Sequence, residues 1–220
     1  FAPIALPQAA LILLAAPVYG GRVSPTALER LARLRGQGQA AVAVVVYGNR
    51  DYEDALLELS DRAKDWGLTP VAAGAFIGEH SYSRLSLPVA EGRPDEDDLK
   101  RCRDFAAAVM GKLHRCGSPE QACDFPVKGS RPYKALKPST PQAPITLPEK
   151  CLRCGSCLEH CPTLAIFRAA DGSVDTDMGR CIKCCACVKG CPAQARVFDT
   201  PFSEFLHTHF SARREPEVFL

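Results

Sequence analysis

The sequence has no excess of charge of either sign. Its 220 residues carry 27 lysines and arginines against 25 aspartates and glutamates, and residues 151–220 carry eight of each. A surface that binds nucleic acid or an anionic membrane needs a basic excess somewhere along the chain. The balance therefore predicts a protein that binds neither nucleic acid nor a membrane.

The sequence also lacks an apolar run long enough to span a membrane and an ordered secretory signal. Residues 3–18 are almost wholly apolar, but Pro3, Pro7 and Pro17 interrupt them, whereas a membrane-spanning helix needs about 20 apolar residues. No basic segment, apolar segment and cleavage site follow one another in order. Hydrolase motifs such as G-x-S-x-G and H-E-x-x-H are absent too. We expect a reduced, cytoplasmic protein whose cysteines bind metal rather than form disulfides.

Buried strands and amphipathic helices alternate in the first half of the chain. The predicted strands span residues 9–16, 40–47 and 69–77, and the predicted helices span residues 24–36, 52–66 and 95–114. The strands are continuously apolar, as in a sheet covered by helices on both faces. The alternation predicts a parallel α/β sheet with right-handed crossovers.

The periodicity ends at Arg115, and seven prolines follow before residue 149. Proline favours extended polyproline II, so this stretch is predicted to be a semi-rigid linker. The resulting division has a first domain at residues 1–115 and a linker at 116–148. A second domain follows at 149–198, and a C-terminal tail at 199–220.

Nine of the twelve cysteines lie between Cys151 and Cys191, in two runs with the same C-x2-C-x2-C-x3-C-P spacing, thirty residues apart. This duplication implies two similar half-domains. In two-cluster ferredoxins the fourth cysteine of each run ligates the other cluster. We therefore predict a small α+β domain with two 4Fe-4S clusters and crossed ligation. One cluster is assigned to Cys151, Cys154, Cys157 and Cys191, and the other to Cys181, Cys184, Cys187 and Cys161.

Zinc is the alternative for any C-x2-C pair, because tetrahedral thiolate sites use similar spacing. Four evenly stepped cysteines followed by proline, occurring twice, favour iron-sulfur clusters instead. Cys185 stands where the first run has Gly155 and is interpreted as a small residue that is not a ligand. Cys102 lies on an inward helical face and is interpreted as a core thiol. Cys116 and Cys123 suggest no chemistry.

The whole chain resembles the bacterial flavodoxin-ferredoxin fusion family. Besides the cysteine runs, the resemblance rests on segments at residues 17–22, 47–52, 78–81, 92–95 and 214–217. It implies a flavodoxin-like domain before the ferredoxin domain, with FMN at the carboxyl edge of the sheet. The implied flavin contacts are Pro17, Val18, Tyr19, Gly20, Gly21, Tyr47, Gly48, Asn49 and Tyr52, of which Tyr19 and Tyr52 are candidates to stack on the flavin ring.

One departure from that family concerns the start of the chain. Flavodoxin-like domains begin with a strand and a Ser/Thr-and-Gly loop that holds the FMN phosphate, and this sequence has no such segment. The resemblance thus implies a partial sheet that lacks its first strands, which argues against FMN binding. We expect a longer native chain, and we expect residues 9–16 to form a bare, self-associating edge.

These features predict a low-potential electron carrier that exchanges single electrons with redox partner proteins. A flavin-dependent reductase fed by its own ferredoxin domain is the alternative. A third hypothesis makes the first domain a docking platform for a redox partner. Binding of added FMN would separate the docking hypothesis from the other two.

Overall fold

The structure is a computed structural model that describes residues 2–8, 10–138 and 140–220; Ala9, the first residue of the first predicted strand, lies outside them. The chain forms two compact units. Unit 1 comprises Phe1–His80, Ala90–Lys137 and Ser211–Leu220, and unit 2 comprises Ser81–Val89 and Pro138–Phe210. Residues 81–89 lie within the predicted first domain but belong to unit 2. Residues 211–220 follow unit 2 in the sequence but belong to unit 1. The predicted boundaries contained neither exchange.

The elements follow one another in these positions. The strands are β1 (Ile4–Ala5), β2 (Ile12–Tyr19), β3 (Arg22–Val23), β4 (Leu34–Arg35), β5 (Ala40–Tyr47), β6 (Thr69–Ile77), β7 (Ile145–Thr146), β8 (Ile166–Arg168), β9 (Val174–Thr176), β10 (Arg196–Val197) and β11 (Glu217–Phe219). The helices are α1 (Pro25–Leu31), α2 (Ala55–Asp65), α3 (Glu96–Cys116), α4 (Pro119–Ala122), α5 (Ser156–Glu159), α6 (Ala186–Lys189) and α7 (Pro201–Phe210).

A five-stranded sheet with the order β11-β6-β5-β2-β3 forms the centre of unit 1. The strands β2, β5 and β6 are parallel, and Ala43 of β5 lies in register between Leu14 of β2 and Ala73 of β6. β5 and β6 have the predicted bounds. β11 pairs antiparallel with β6, and β3 with the end of β2, so the sheet is mixed rather than wholly parallel.

β2 runs further than the predicted strand and contains Pro17. A proline cannot donate to a strand ladder and is therefore confined to edge strands and strand ends. Among the described residues, β2 pairs with β5 along one side and with β3 only through Val18 and Tyr19. Pro17 is tolerated because β2 is an edge strand along most of its length.

Alternate residues of β5 face two separate apolar cores. Val45 is fully buried in the core that includes Leu56 of α2, whereas Val42 is buried in the core that includes Phe105 and Val109 of α3. The period of two along a strand sends neighbouring side chains to opposite faces. Both faces of the sheet are therefore packed against helices, which explains the continuously apolar sequence of β5.

An apolar groove of about 430 Å³ lies along the α3 face of the sheet. Leu13 of β2, Val44 of β5, and Leu99 and Met110 of α3 line it. Leu13 is 66% exposed. The groove adjoins the open edge of β2, so unit 1 presents apolar side chains beside unpaired strand backbone.

A buried ion pair fixes the start of α3. Asp95 and Asp98 form a capping box, each carboxylate accepting from the other residue's backbone N–H at 3.0 Å. Arg93 Nε donates to Asp98 Oδ2 at 2.7 Å, and its second guanidinium nitrogen donates to Oδ1. Arg93 Nη1 also donates to the carbonyl of Arg214 at 2.6 Å. The residues before α3 thereby hold the C-terminal segment of unit 1.

Part of the predicted linker packs on unit 1. Asp54, next to the start of α2, accepts hydrogen bonds from the backbone N–H groups of Ser130 at 2.8 Å and Lys134 at 2.7 Å. Asp61 of α2 accepts from Arg131 Nε at 2.9 Å. The stretch has the irregular backbone that its prolines imply, but these carboxylates anchor it, so residues 130–134 do not form a free spacer.

Unit 2 contains two similar halves. β8 and β9 form an antiparallel hairpin that turns at Asp171 and Gly172. The short helices α5 and α6 occupy equivalent places in the two halves, and each contains the third cysteine of its run. β7 pairs with β10, and α7 forms within the stretch that was predicted to be a tail.

In the described part of the chain, no helix combines the length and the apolar character needed to cross a membrane.

Candidate metal centre

The cysteines of unit 2 line two small cavities, each of about 20 Å³. The first cavity is lined by Cys151, Cys154, Cys157 and Cys191. The second cavity is lined by Cys161, Cys181, Cys184, Cys185 and Cys187. The fourth cysteine of each run thus lies with the first three cysteines of the other run.

The repeated backbone explains how each run presents its thiols. Arg153 and Lys183, at equivalent positions, have φ values of 54° and 56°. Gly155 and Cys185, the next equivalent pair, have φ values of 87° and 56°. Two left-handed residues in each run turn the chain sharply around its cavity. The short helix that follows then carries the third cysteine of the run.

Backbone N–H groups point at three of the thiols. Ala165 N–H donates to Cys161 Sγ and Ala195 N–H to Cys191 Sγ, both at 3.2 Å, and Lys183 N–H donates to Cys181 Sγ at 3.4 Å. Burial acts to raise the pKa of Cys161 and Cys191, but backbone donors outweigh it and leave each pKa below its usual value. Such donors favour the thiolate, which is the form that binds metal.

Burial dominates at other thiols. It raises the pKa of Cys157, Cys184 and Cys187, although Arg196 opposes the effect at Cys157 and Cys187. Buried thiols of this kind become thiolates when a metal replaces the proton. The apolar walls around them include Ile166 and Val174, both buried. The thiols are therefore shielded from water, which protects an iron-sulfur site.

Arg196 is a buried cation that the sequence analysis did not single out. It is 3% exposed and lines the first cavity, and its guanidinium also reaches Cys187 of the second cavity, with Nη2 3.8 Å from Sγ. A comparison of the two repeats could have indicated Arg196, because the equivalent residue of the first repeat, thirty positions earlier, is the apolar Ile166.

Cys185 lies within the second cavity although it was interpreted as a residue that is not a ligand. It is 2% exposed, and burial raises its pKa to about 12. Tyr82 of unit 2 lies near it, and burial raises the pKa of Tyr82 too, with further contributions from Cys185 and Cys181. The ring of Tyr82 packs against Phe198 at 5.2 Å between centroids. Residues 81–89 thus contribute one aromatic ring, that of Tyr82, close to Cys185.

The other cysteines lie in unit 1. Cys102 is half-buried and packs against the α3 core, in agreement with its interpretation as a core thiol. Cys116 packs against the same core, and Cys123 is exposed with its thiol donating to the carbonyl of Glu120. In the described residues no group of three His, Cys, Asp or Glu side chains is arranged to hold a single metal ion.

The residues predicted to contact a flavin meet at the carboxyl ends of β2 and β5. Pro17, Val18 and Tyr19 end β2, Gly20 and Gly21 turn the chain into β3, and Tyr47, Gly48, Asn49 and Tyr52 follow at the end of β5. The rings of Tyr47 and Tyr52 lie 5.4 Å apart between centroids. The structure thus brings the ends of β2 and β5 to one edge of the sheet, and contact of these residues with a flavin stays a prediction.

The loop after β5 is covered by other parts of unit 1 at Asn49 and Tyr52. Tyr52 is fully buried, its hydroxyl donates to Glu217 Oε2 at 2.8 Å, and Lys128 Nζ lies 4.7 Å from its ring centroid. Burial and Glu217 raise the pKa of Tyr52 well above its usual value. Asn49 Nδ2 donates to the carbonyl of Ala212 at 2.8 Å. Tyr52 is accordingly not available to stack on a flavin ring in this structure.

Residues 143–192 match a protein family described as a 4Fe-4S dicluster domain. The matched segment contains both cysteine runs. Ala193, Ala195 and Arg196, which line the first cavity, lie beyond the end of the match. Among curated proteins, no match to the chain was found. The match supports iron-sulfur clusters of the 4Fe-4S type in unit 2 and does not extend to unit 1.

Proposed function

We propose that the protein is an electron carrier whose unit 2 binds two 4Fe-4S clusters with crossed ligation. One cluster is held by Cys151, Cys154, Cys157 and Cys191, and the other by Cys161, Cys181, Cys184 and Cys187. The observation that carries the proposal is the interleaving of the two runs, because each cavity gathers three thiols of one run and the fourth of the other.

The residues around the clusters have separate tasks. The clusters supply single-electron exchange. The backbone N–H groups of Ala165 and Ala195 stabilise negative charge on Cys161 and Cys191, and the buried side chains of Ile166 and Val174 exclude water. Hydrogen bonds to sulfur and solvent exclusion are the means by which proteins set the potential of such clusters.

Double substitutions test the crossed ligation. Cys161→Ser should remove about half of the iron from protein reconstituted under anaerobic conditions. Adding Cys184→Ser should remove little more, since both residues are assigned to one cluster, whereas adding Cys154→Ser should remove nearly all the iron. The reverse pattern, with the Cys161 and Cys154 pair keeping half of the iron, would show that each run holds its own cluster. Cys102→Ser in unit 1 is the matched control and should change nothing.

Unit 1 is proposed to dock redox partner proteins rather than carry FMN. Its strand order has a parallel β2-β5-β6 core in common with the flavodoxin-like domain that the sequence resembles. At the end of β5, where a flavin ring would stack, Tyr52 is covered by Lys128 and Glu217, and Asn49 is bonded to Ala212. A flavin-dependent reductase that stacks its flavin on Tyr52 would need that loop open.

Equilibration with FMN followed by ultrafiltration tests this assignment. We expect no flavin absorbance in the retained protein at full iron content. Flavin retained in stoichiometric amount would overturn the docking assignment and favour the reductase. Tyr52→Ala would then identify the site, because loss of retained flavin in that variant would place the ring at the β5 loop.

A further inference from the structure

Arg196 breaks the symmetry of the two halves of unit 2. Residue 166 lines the second cavity and residue 196 lines the first, so they occupy the same place in the two repeats. The first repeat has isoleucine there and the second has arginine. Both side chains are buried, at 7% and 3% exposure. The two repeats therefore differ by one buried positive charge.

The hydrogen-bond partners of Arg196 are all neutral groups or a thiol. Nη1 donates to Thr146 Oγ1 at 2.7 Å, and Nη2 donates to the Pro144 carbonyl at 2.9 Å and to Thr176 Oγ1 at 2.6 Å. Nη2 also lies 3.8 Å from Cys187 Sγ. Within the described residues, Nε is buried without a hydrogen-bond partner, and no carboxylate pairs with the guanidinium.

A buried guanidinium without a carboxylate needs another source of negative charge. Removing an isolated charge from water costs many kcal/mol, and buried charges are accordingly paired or bound to metal centres. The anionic groups nearest to Arg196 are the cysteine ligands of the two proposed clusters. Arg196 lines the first cavity, and its Nη2 contacts Cys187 of the second cavity, so one buried cation lies beside both cavities.

We propose that Arg196 is a positioning residue shared by both clusters, whose buried positive charge stabilises their anionic sulfur and raises their reduction potentials. Reduction adds negative charge to a cluster, and a nearby cation stabilises the reduced form more than the oxidised form. This inference rests on the proposed function, since it requires both clusters to be bound.

The alternative is that Arg196 only fixes the chain around β7. Its bonds to Pro144, Thr146 and Thr176 would suffice for that role. A purely structural residue would alter stability when replaced but would leave the potentials of correctly assembled clusters unchanged. The two roles therefore differ in a measurable quantity.

Redox titration of the reconstituted full chain, followed by electron paramagnetic resonance, tests the proposal. Arg196→Ile installs the residue of the other repeat. At the wild-type midpoint potential we expect the ratio of oxidised to reduced cluster to rise about tenfold, which corresponds to a potential about 59 mV more negative for one electron. Arg196→Lys should recover part of the shift because it keeps the charge. Arg180→Ile removes an exposed cation next to Cys181 and should shift the ratio much less.

Iron and sulfide counts separate the possible failures. Wild-type protein that binds far fewer than about eight irons would contradict the proposed function itself. Unchanged potentials in fully loaded Arg196→Ile would overturn the role of Arg196 alone. If Arg196→Ile loads poorly, Arg196→Gln is titrated by the same criterion. If no neutral variant loads, iron uptake by Arg196→Lys supports the need for a buried cation, and its failure contradicts it.

Discussion

Removal of the carboxylate from the buried Arg93 and Asp98 pair should destabilise unit 1 strongly. The two side chains are 5% and 2% exposed. The Asp98 carboxylate accepts hydrogen bonds from the guanidinium of Arg93 and from the backbone N–H of Asp95. Asp98→Asn leaves a buried guanidinium uncompensated. Breaking a buried pair in this way costs about 3–5 kcal/mol. At about 3 kcal/mol the unfolding equilibrium constant would rise about a hundredfold.

Urea unfolding followed by the fluorescence of Trp66 measures this change. Trp66 is the one tryptophan of the sequence and packs against the main core of unit 1. Asp65→Asn is the matched control, because its partner Arg62 lies in an exposed pair at 3.0 Å that should contribute no more than about 1 kcal/mol. Equal effects of the two substitutions would refute the reasoning. Replacing both Arg93 and Asp98 with leucine should recover much of the stability, since no charge remains buried.

Three further substitutions have defined outcomes. Cys185→Ala should keep the full iron content, because eight other cysteines satisfy the two assigned clusters; loss of half the iron would contradict that assignment. Leu13→Lys should lower self-association in sedimentation experiments, since charge blunts an exposed strand edge, and a wild-type protein that is already monomeric would contradict the prediction. Burial acts to raise the pKa of Asp61, but Arg131 and Tyr133 outweigh it and hold the pKa below 3.8. The Asp61 anchor is therefore complete above pH 3.8 and is lost as the pH falls through the lowered pKa. Hydrogen exchange of the Arg131 side-chain N–H groups should become faster over that range. Asp61→Asn should abolish this pH dependence.

The sequence predicted most accurately those elements whose burial is uniform. β5 and β6 are interior strands, and their mainly apolar runs end at Gly48 and Gly78, which indicated where each strand ends. The bounds of β2 were less accurate, because Pro17 reads as a strand breaker unless the strand is known to lie at an edge. Strand position within a sheet is a tertiary property, which local sequence does not contain.

Long-range polar contacts explain the other differences. β11 pairs with β6 across most of the chain, and nothing in Glu217, Val218 and Phe219 alone indicates a strand. Asp54 anchors the backbone of Ser130 and Lys134, which lie more than seventy residues away. In the candidate site, cysteine spacing placed the eight assigned thiols at the two cavities but did not indicate that Cys185 lines the second cavity with them. Arg196 could be recognised only by comparing the repeats position by position.

The pairing of β11 with β6 has a consequence for the order of folding. Unit 2 residues 138–210 leave the ribosome before β11, so the edge of β6 remains open while the cysteines of unit 2 are already accessible to iron. Closing so long a loop is entropically costly and slow. Compaction of unit 2 around its clusters would shorten the effective loop, and cluster insertion should therefore accelerate completion of the sheet in unit 1. Maturation of the metal sites and pairing of the open edge of β6 would then be steps of one kinetic sequence.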